Sequence, residues 1–170
     1  MKKIVLTVIT VITFASIGNA QKFGFIDTEY ILNNIPAFTA AQEQLDKLSS
    51  QYQKELETMY AEIEKMYQNY QNESSSLSDA MKRRREDAII TKEKDYKQLQ
   101  SKYFGPNGDL FTKRQSLVQP IQDAISKAVQ EIANAEGYAT IFDKAESNTL
   151  FYTNPCYDLS DQVLQKLGYK

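Results

Sequence analysis

Residues 45–70 read LDKLSSQYQKELETMYAEIEKMYQNY, and the spacing of their apolar positions decides the fold. Leu45, Leu48, Tyr52, Leu56, Met59, Ile63, Met66 and Tyr70 follow one another at intervals of three or four residues. That is a heptad-like seam with one four-residue slip between Leu48 and Met59. Polar residues fill most other positions, so the apolar stripe is narrower than that of a helix packed on a globular core. Outward from this stretch, neither Gly nor Pro occurs from Ala37 to Lys102, while Glu, Lys, Gln, Leu and Ala are abundant. Good helix formers without breakers over that length predict very long helix, organised as a coiled coil.

One soft spot interrupts the run: Asn72-Glu73-Ser74-Ser75-Ser76-Leu77-Ser78. Successive serines compete for backbone hydrogen bonds and favour turns and caps over helix interior. Ser78 before Asp79 is suited to cap a new helix. A reversal here gives an antiparallel helical hairpin with its tip near residues 72–80. Charge supports the pairing. Residues 39–78 carry seven acidic and three basic side chains, whereas residues 79–104 carry five acidic and eight basic. Arms of opposite sign lie side by side without repulsion. A single continuous helix remains the alternative.

The returning arm has a weaker seam of Met81, Ala88, Ile89, Tyr96, Leu99 and Tyr103. It ends at the breaker Phe104-Gly105-Pro106-Asn107-Gly108. No Lys-Ser/Thr follows these glycines, so a kink or short loop fits better than a nucleotide-binding loop. Helix resumes near Asp109 with Leu110, Leu117, Ile121, Ile125, Ala128 and Ile132 on its apolar face, and stops at Gly137. Short strands are expected at about 23–26, 138–142 and 149–153, the last two forming a hairpin, and a final helix at 158–167. The fold class is therefore mostly α with a small β body (α+β). The hairpin tentacle, 37–104, projects from a body made of 21–36 and 105–170. Three short strands do not make a stable sheet alone, so the body is expected to oligomerise.

The chain has 170 residues, and the first twenty read as a secretory signal peptide. Lys2 and Lys3 precede an apolar run from Ile4 to Ile17, and Gly18-Asn19-Ala20 offers a cut after Ala20. The run is shorter than the roughly 20 residues of a membrane span. Without the leader, 18 basic and 22 acidic residues remain, a net charge of −4 that argues against general nucleic-acid binding. The absence of histidine excludes His-based triads, imidazole bases and His metal sites. One cysteine, Cys156, excludes an intramolecular disulfide; a packed or inert thiol is the expectation for it, with a link between chains or a modified thiol as the alternatives. No enzyme is expected. Asp143 with Glu146 and Glu62 with Glu64 are the only carboxylate pairings of note, and both read as solvated surface. No cofactor is implied.

The two ends carry a resemblance. The leader is followed by Phe23-Gly24-Phe25-Ile26-Asp27, Tyr30-Ile31-Leu32 and Ile35-Pro36. After the hairpin come Glu136-Gly137-Tyr138-Ala139-Thr140-Ile141-Phe142-Asp143 and then Asp158-Leu159-Ser160-Asp161-Gln162-Val163-Leu164-Gln165-Lys166-Leu167. With the long charged middle, this resembles the Skp family, also called OmpH, of periplasmic chaperones for outer-membrane proteins. The resemblance implies a homotrimer with a body of intertwined short strands and three helical tentacles around a cavity. It further implies an ATP-independent holdase of the periplasm that keeps unfolded outer-membrane proteins soluble. The chain departs from the strongly basic members of that family, since its sequence pI is near 5.3.

Holding requires weak, adaptable apolar surface, which Met and Tyr supply. Tyr60 and Tyr67, seven apart and one place off the seam, are expected with Leu77 and Met81 to face clients. Packing within the hairpin is the equal alternative for the two tyrosines, and the favoured one for Met59, Met66 and Tyr70. Lys82, Arg83, Arg84 and Arg85 form a basic cluster just past the tip. It either pairs with the acidic outgoing arm, the preferred reading, or presents a basic tip to an acidic client, to lipopolysaccharide or, weakly, to an anionic membrane surface. A periplasmic coiled-coil adaptor that binds one folded partner is the rival to the holdase.

Overall fold

The computed structural model describes residues 21–147 and 149–170; the expected leader and its cut after Ala20 lie outside the described residues. The elements are β1 (Lys22–Ile26), α1 (Thr28–Asn33), α2 (Pro36–Glu73), α3 (Asp79–Phe104), α4 (Asp109–Glu136), β2 (Tyr138–Asp143), a 3-10 turn (Pro155–Tyr157) and α5 (Ser160–Lys166). The described residues form two compact units. One spans Leu32–Ala124, and the other joins residues 21–31 with Ile125–Lys170. The helical unit therefore takes in more than residues 37–104, because it includes the first half of α4.

Within the helical unit, α2 starts on Pro36, whose missing N–H is no loss at a first helical position, after an extended Ile35. It runs 38 residues and gives way to the serine turn. Ser78 caps α3: its side chain accepts from the Met81 N–H at 3.4 Å, and Asp79 adds an acidic group to the first turn. The two arms thus form an antiparallel hairpin rather than one continuous helix. Leu45, Leu56 and Ile63 of α2 are buried, as are Ile89 and Tyr103 of α3. Met81 and Ala88, expected in the seam, are exposed instead. Two helices shield one narrow stripe between them, and on α3 much of the pairing is polar.

A ladder of cross-arm ties replaces the missing apolar contacts. Tyr103 Oη donates to Glu55 Oε2 at 2.7 Å, and Lys92 meets Glu62 at 2.7 Å. Tyr67 Oη donates to Glu93 at 3.2 Å, Tyr70 Oη to Glu86, and Arg85 reaches Glu73 at 3.3 Å. At the base Tyr52 stacks on Tyr103, with centroids 3.8 Å apart and planes 5° from parallel. The breaker after α3 is a short loop. A side chain at Gly105 would place its Cβ 2.3 Å from the Ser101 carbonyl oxygen, so only glycine allows this close exit.

In the second unit β1 and β2 pair in parallel, with Phe23 opposite Thr140, Gly24 opposite Ile141, Phe25 opposite Phe142 and Ile26 opposite Asp143. Gly137, at φ +71°, ends α4 and launches β2. The third strand expected at 149–153 is absent, and 138–142 pairs with β1 instead of forming a hairpin. The reason lies just after β2. The Lys144 N–H continues the ladder onto the Ile26 carbonyl at 2.9 Å, and Asp143 Oδ1 accepts from the Ala145 N–H at 3.0 Å. On β1, Phe25 bridges to Asp158, and the Leu159 N–H donates to the Phe25 carbonyl at 2.8 Å. Phe151 and Tyr152 are left 97% and 79% exposed. The core of this unit is Ile26, Ile31, Ile125, Ala128, Ile132, Leu159, Val163 and Leu164, all buried.

Candidate binding groove

The antiparallel register sets Tyr60 of α2 beside Tyr96 of α3, with ring centroids 6.1 Å apart and planes inclined by 56°. The inclined pair opens onto a groove of about 500 Å³ lined by Gln53, Leu56, Glu57, Tyr60, Tyr96, Gln100 and Phe104. Tyr60 is 58% exposed and Phe104 38%. Phe104 is held edge-on to Tyr52, at 6.2 Å and 88°. Aromatic faces offer apolar contact, and the amides and one carboxylate offer hydrogen-bonding groups beside them.

Of the residues expected to face clients, only Tyr60 lines this groove. Tyr67 is exposed but ties its hydroxyl to Glu93, and that carboxylate holds the Tyr67 hydroxyl above its ordinary pKa. Leu77 is half-buried in the tip turn, and Met81 is exposed on the first turn of α3. The expected residues are therefore spread along the arm. Tyr96 and Phe104 enter the groove unforeseen. Spacing alone puts the first in the seam and the second in the breaker, and the register counted back from the tip is the signal that joins them to Tyr60.

The electrostatics of the hairpin centre on Tyr103. Its hydrogen bond to Glu55, then burial and the charge of Glu55, push its hydroxyl up to about 12. Tyr52 beside it is raised, first by burial and then by the charges of Asp109 and Glu55. At the tip Lys82 is half-buried, while Arg83, Arg84 and Arg85 are exposed. Among the described residues only Arg85 of these four forms an ion pair, with Glu73.

The strand unit holds a second concavity, of about 340 Å³, lined by Asp27, Tyr30, Lys144, Pro155, Asp158, Ser160 and Asp161. Its charges are engaged internally. Lys144 Nζ lies 2.7 Å from Asp158 and 3.6 Å from Asp27, and Ser160 donates to Asp158 from both N–H and hydroxyl. Burial pushes the Asp158 carboxyl up, but the bonds from Lys144 and Ser160 outweigh it and leave the group below its ordinary value. This arrangement is a structural clasp.

The carboxylate pairs considered for catalysis do not converge. Asp143 accepts from the Thr28 N–H and hydroxyl while Glu146 is exposed, and Glu62 is engaged by Lys92 while Glu64 is exposed. Among the described residues, no group of three or more His, Cys, Asp or Glu side chains is placed to hold a metal ion. None of their helices is long and apolar enough to cross a membrane. Cys156 is not packed as expected: the 3-10 turn Pro155–Tyr157 carries it at the surface, an exposed thiol.

A long antiparallel hairpin tied by tyrosines, with a small parallel two-stranded unit built from the chain ends, defines a mostly helical hairpin protein. The model of the family described as outer membrane protein (OmpH-like) matches residues 22–167. The chain belongs to that OmpH-like family. Its fold is similar to the crystal structure of a proposed outer membrane chaperone (OmpH-like) from Caulobacter crescentus CB15. That likeness has a TM-score of 0.67 at 11% sequence identity, and covers 86% of this chain and 83% of the other. No curated protein matches the sequence.

Proposed function

We propose that this chain is an ATP-independent periplasmic holdase that binds unfolded outer-membrane proteins and prevents their aggregation. The observation that carries the reading is the groove of Leu56, Tyr60, Tyr96 and Phe104, solvent-open aromatic surface on a hairpin of an OmpH-like chain. Membership of that family, and the fold shared with a proposed chaperone of the same kind, support it. Such surface binds many sequences weakly, and several arms around one client multiply the effect through effective concentration. The working unit in this reading is a homotrimer. A two-stranded sheet is marginal alone, and the exposed Phe23, Phe142, Phe151 and Tyr152 are apolar surface that other copies would cover. Arg83 and Arg84 at the tip favour weak contact with an anionic surface such as lipopolysaccharide. Nothing in this scheme requires an enzyme activity or a nucleotide.

The test is light scattering. A urea-denatured outer-membrane barrel protein is diluted into buffer containing residues 21–170 and no ATP. Suppression of turbidity near one trimer per client, weakened by replacing Tyr60 and Tyr67 with Ala, is the expected result. Unchanged aggregation from folded protein would refute holding for that client and favour an adaptor with one folded partner.

A further inference from the structure

The groove beside Tyr60 is chemically more selective than an apolar slot. We infer that it takes cationic side chains, Lys or Arg, of an extended client segment, seated against Tyr60 and Tyr96 with Glu57 as counter-charge. This inference rests on the holdase reading and names the kind of segment held.

Three observations converge. The first is the lining: three aromatic rings, one leucine, two amides, and Glu57 as the one charged group. The tilted Tyr60–Tyr96 pair forms two walls rather than a closed stack, and Tyr60 keeps more than half its surface open. Aromatic faces attract a cation placed within about 6 Å of the ring centre, and a nearby carboxylate adds to that pull.

The second observation is the state of the carboxylates. Glu55, Glu62, Glu73, Glu86 and Glu93 are each engaged across the hairpin by Tyr103, Lys92, Arg85, Tyr70 and Tyr67 respectively. Glu57 makes no ion pair and no side-chain hydrogen bond among the described residues. Its charge points into a groove that contains no basic group to balance it.

The third is the placement of the lysines: none lines the groove, and Lys54, three residues before Glu57, forms no ion pair with it among the described residues. Lys92 is on Glu62, Lys102 lies over the Tyr103 ring and near Asp109, and Lys97 lines a separate groove with Ile90 and Lys94. The arm as a whole is acidic, with seven acidic and three basic residues in Pro36–Glu73. Gln53 and Gln100 offer amides to the backbone on either side of the captured side chain. A segment bearing Glu would instead meet Glu57 as a like charge.

The experiment uses residues 21–170 and three fluorescein-labelled synthetic peptides of one alternating polar–aromatic sequence. They differ only in carrying Arg, Gln or Glu at two central positions, and binding is read by anisotropy at fixed low salt. The Arg peptide is expected to bind about 3- to 10-fold more tightly than the Gln peptide, and the Glu peptide least tightly. Glu57→Gln and Tyr60→Leu should each shrink the Arg-to-Gln ratio toward one, with helical circular dichroism confirming that both variants fold. Equal binding of the three peptides overturns the inference, as does no binding of any, or an Arg preference that survives both substitutions. Turbidity run on the same preparations separates the two readings. Suppression without an Arg preference overturns the groove assignment alone, whereas an Arg preference without suppression overturns the holdase alone.

Discussion

Ile89 is the residue on which the outer half of the hairpin depends. It is 4% exposed, the one deeply buried aliphatic side chain of α3, and lies along that helix between the Glu62–Lys92 and Tyr70–Glu86 ties. Ile89→Ala removes three buried carbons, which at about 0.8 kcal/mol each comes to about 2.4 kcal/mol. The surroundings are exposed enough to relax into the space, so the cost should sit near the low end of the roughly 2–5 kcal/mol seen for such truncations. The polar ties around it are largely solvent-exposed and contribute about 0–1 kcal/mol each, too little to make up the loss. Local opening of the arm should therefore become about 50-fold more frequent. Hydrogen exchange followed by mass spectrometry reads this directly. Amides in 56–70 and 85–96 should lose protection by about that factor, while those of β1, β2 and α5 keep theirs. A change below about threefold in the arm, or an equal loss in the strand unit, would refute the view that the hairpin is a separate compact unit held by one narrow stripe.

Two further outcomes follow from named side chains. Tyr103 has a raised pKa, so its tie to Glu55 is fully present below the unfolded value near 10 and is lost as pH rises through about 12. Helical signal should fall across that window, and less steeply in Tyr103→Phe. Equal slopes for the two proteins would show that this hydroxyl does not couple to the hairpin. Phe151, 97% exposed, is expected to lie between copies in the proposed trimer, where burying it contributes about 1.5–3 kcal/mol per chain. Phe151→Ser should raise the monomer fraction in sedimentation at equal concentration, and an unchanged distribution would remove Phe151 from the interface.

The hairpin was legible because its determinants are local. The three-and-four spacing of Leu45 to Tyr70, the serine turn, the Ser78 cap and the Gly105 breaker each act within a few residues. The strand unit was less so. Thr149–Thr153 carries a strand-like composition next to a turn, yet β2 finds its partner in β1, and nothing within a short window announces a parallel pairing across the whole hairpin. Met81 and Ala88 follow the seam spacing but lie exposed, because polar ties take over much of the pairing on α3. At the groove, Tyr60 could be picked out by its place one step off the seam. Tyr96 and Phe104 need one thing more, the register of the two arms counted back from the serine turn, and seam spacing alone does not supply it. The selective feature of that groove, the uncompensated Glu57, emerges only when the partners of every neighbouring carboxylate are known.

The parallel pairing of β1 with β2 also dictates an order of events in folding. Thr28 and Asp143, joined at the end of that pairing, are 115 residues apart in sequence, whereas Tyr70 and Glu86 are separated by 16. Closing a loop costs entropy that grows with its length, and pairs of short separation form first. The arms can zip from the serine turn downward, each rung leaving only a small loop for the next. Once they have done so, residues 52–104 no longer count toward the loop, and the strands meet across the shorter chain that remains. During synthesis β1 emerges more than a hundred residues before its partner. Phe23, Phe25 and Ile26 must therefore wait unpaired until the last third of the chain appears, and for that interval this protein has the same need for cover as any other unfolded chain.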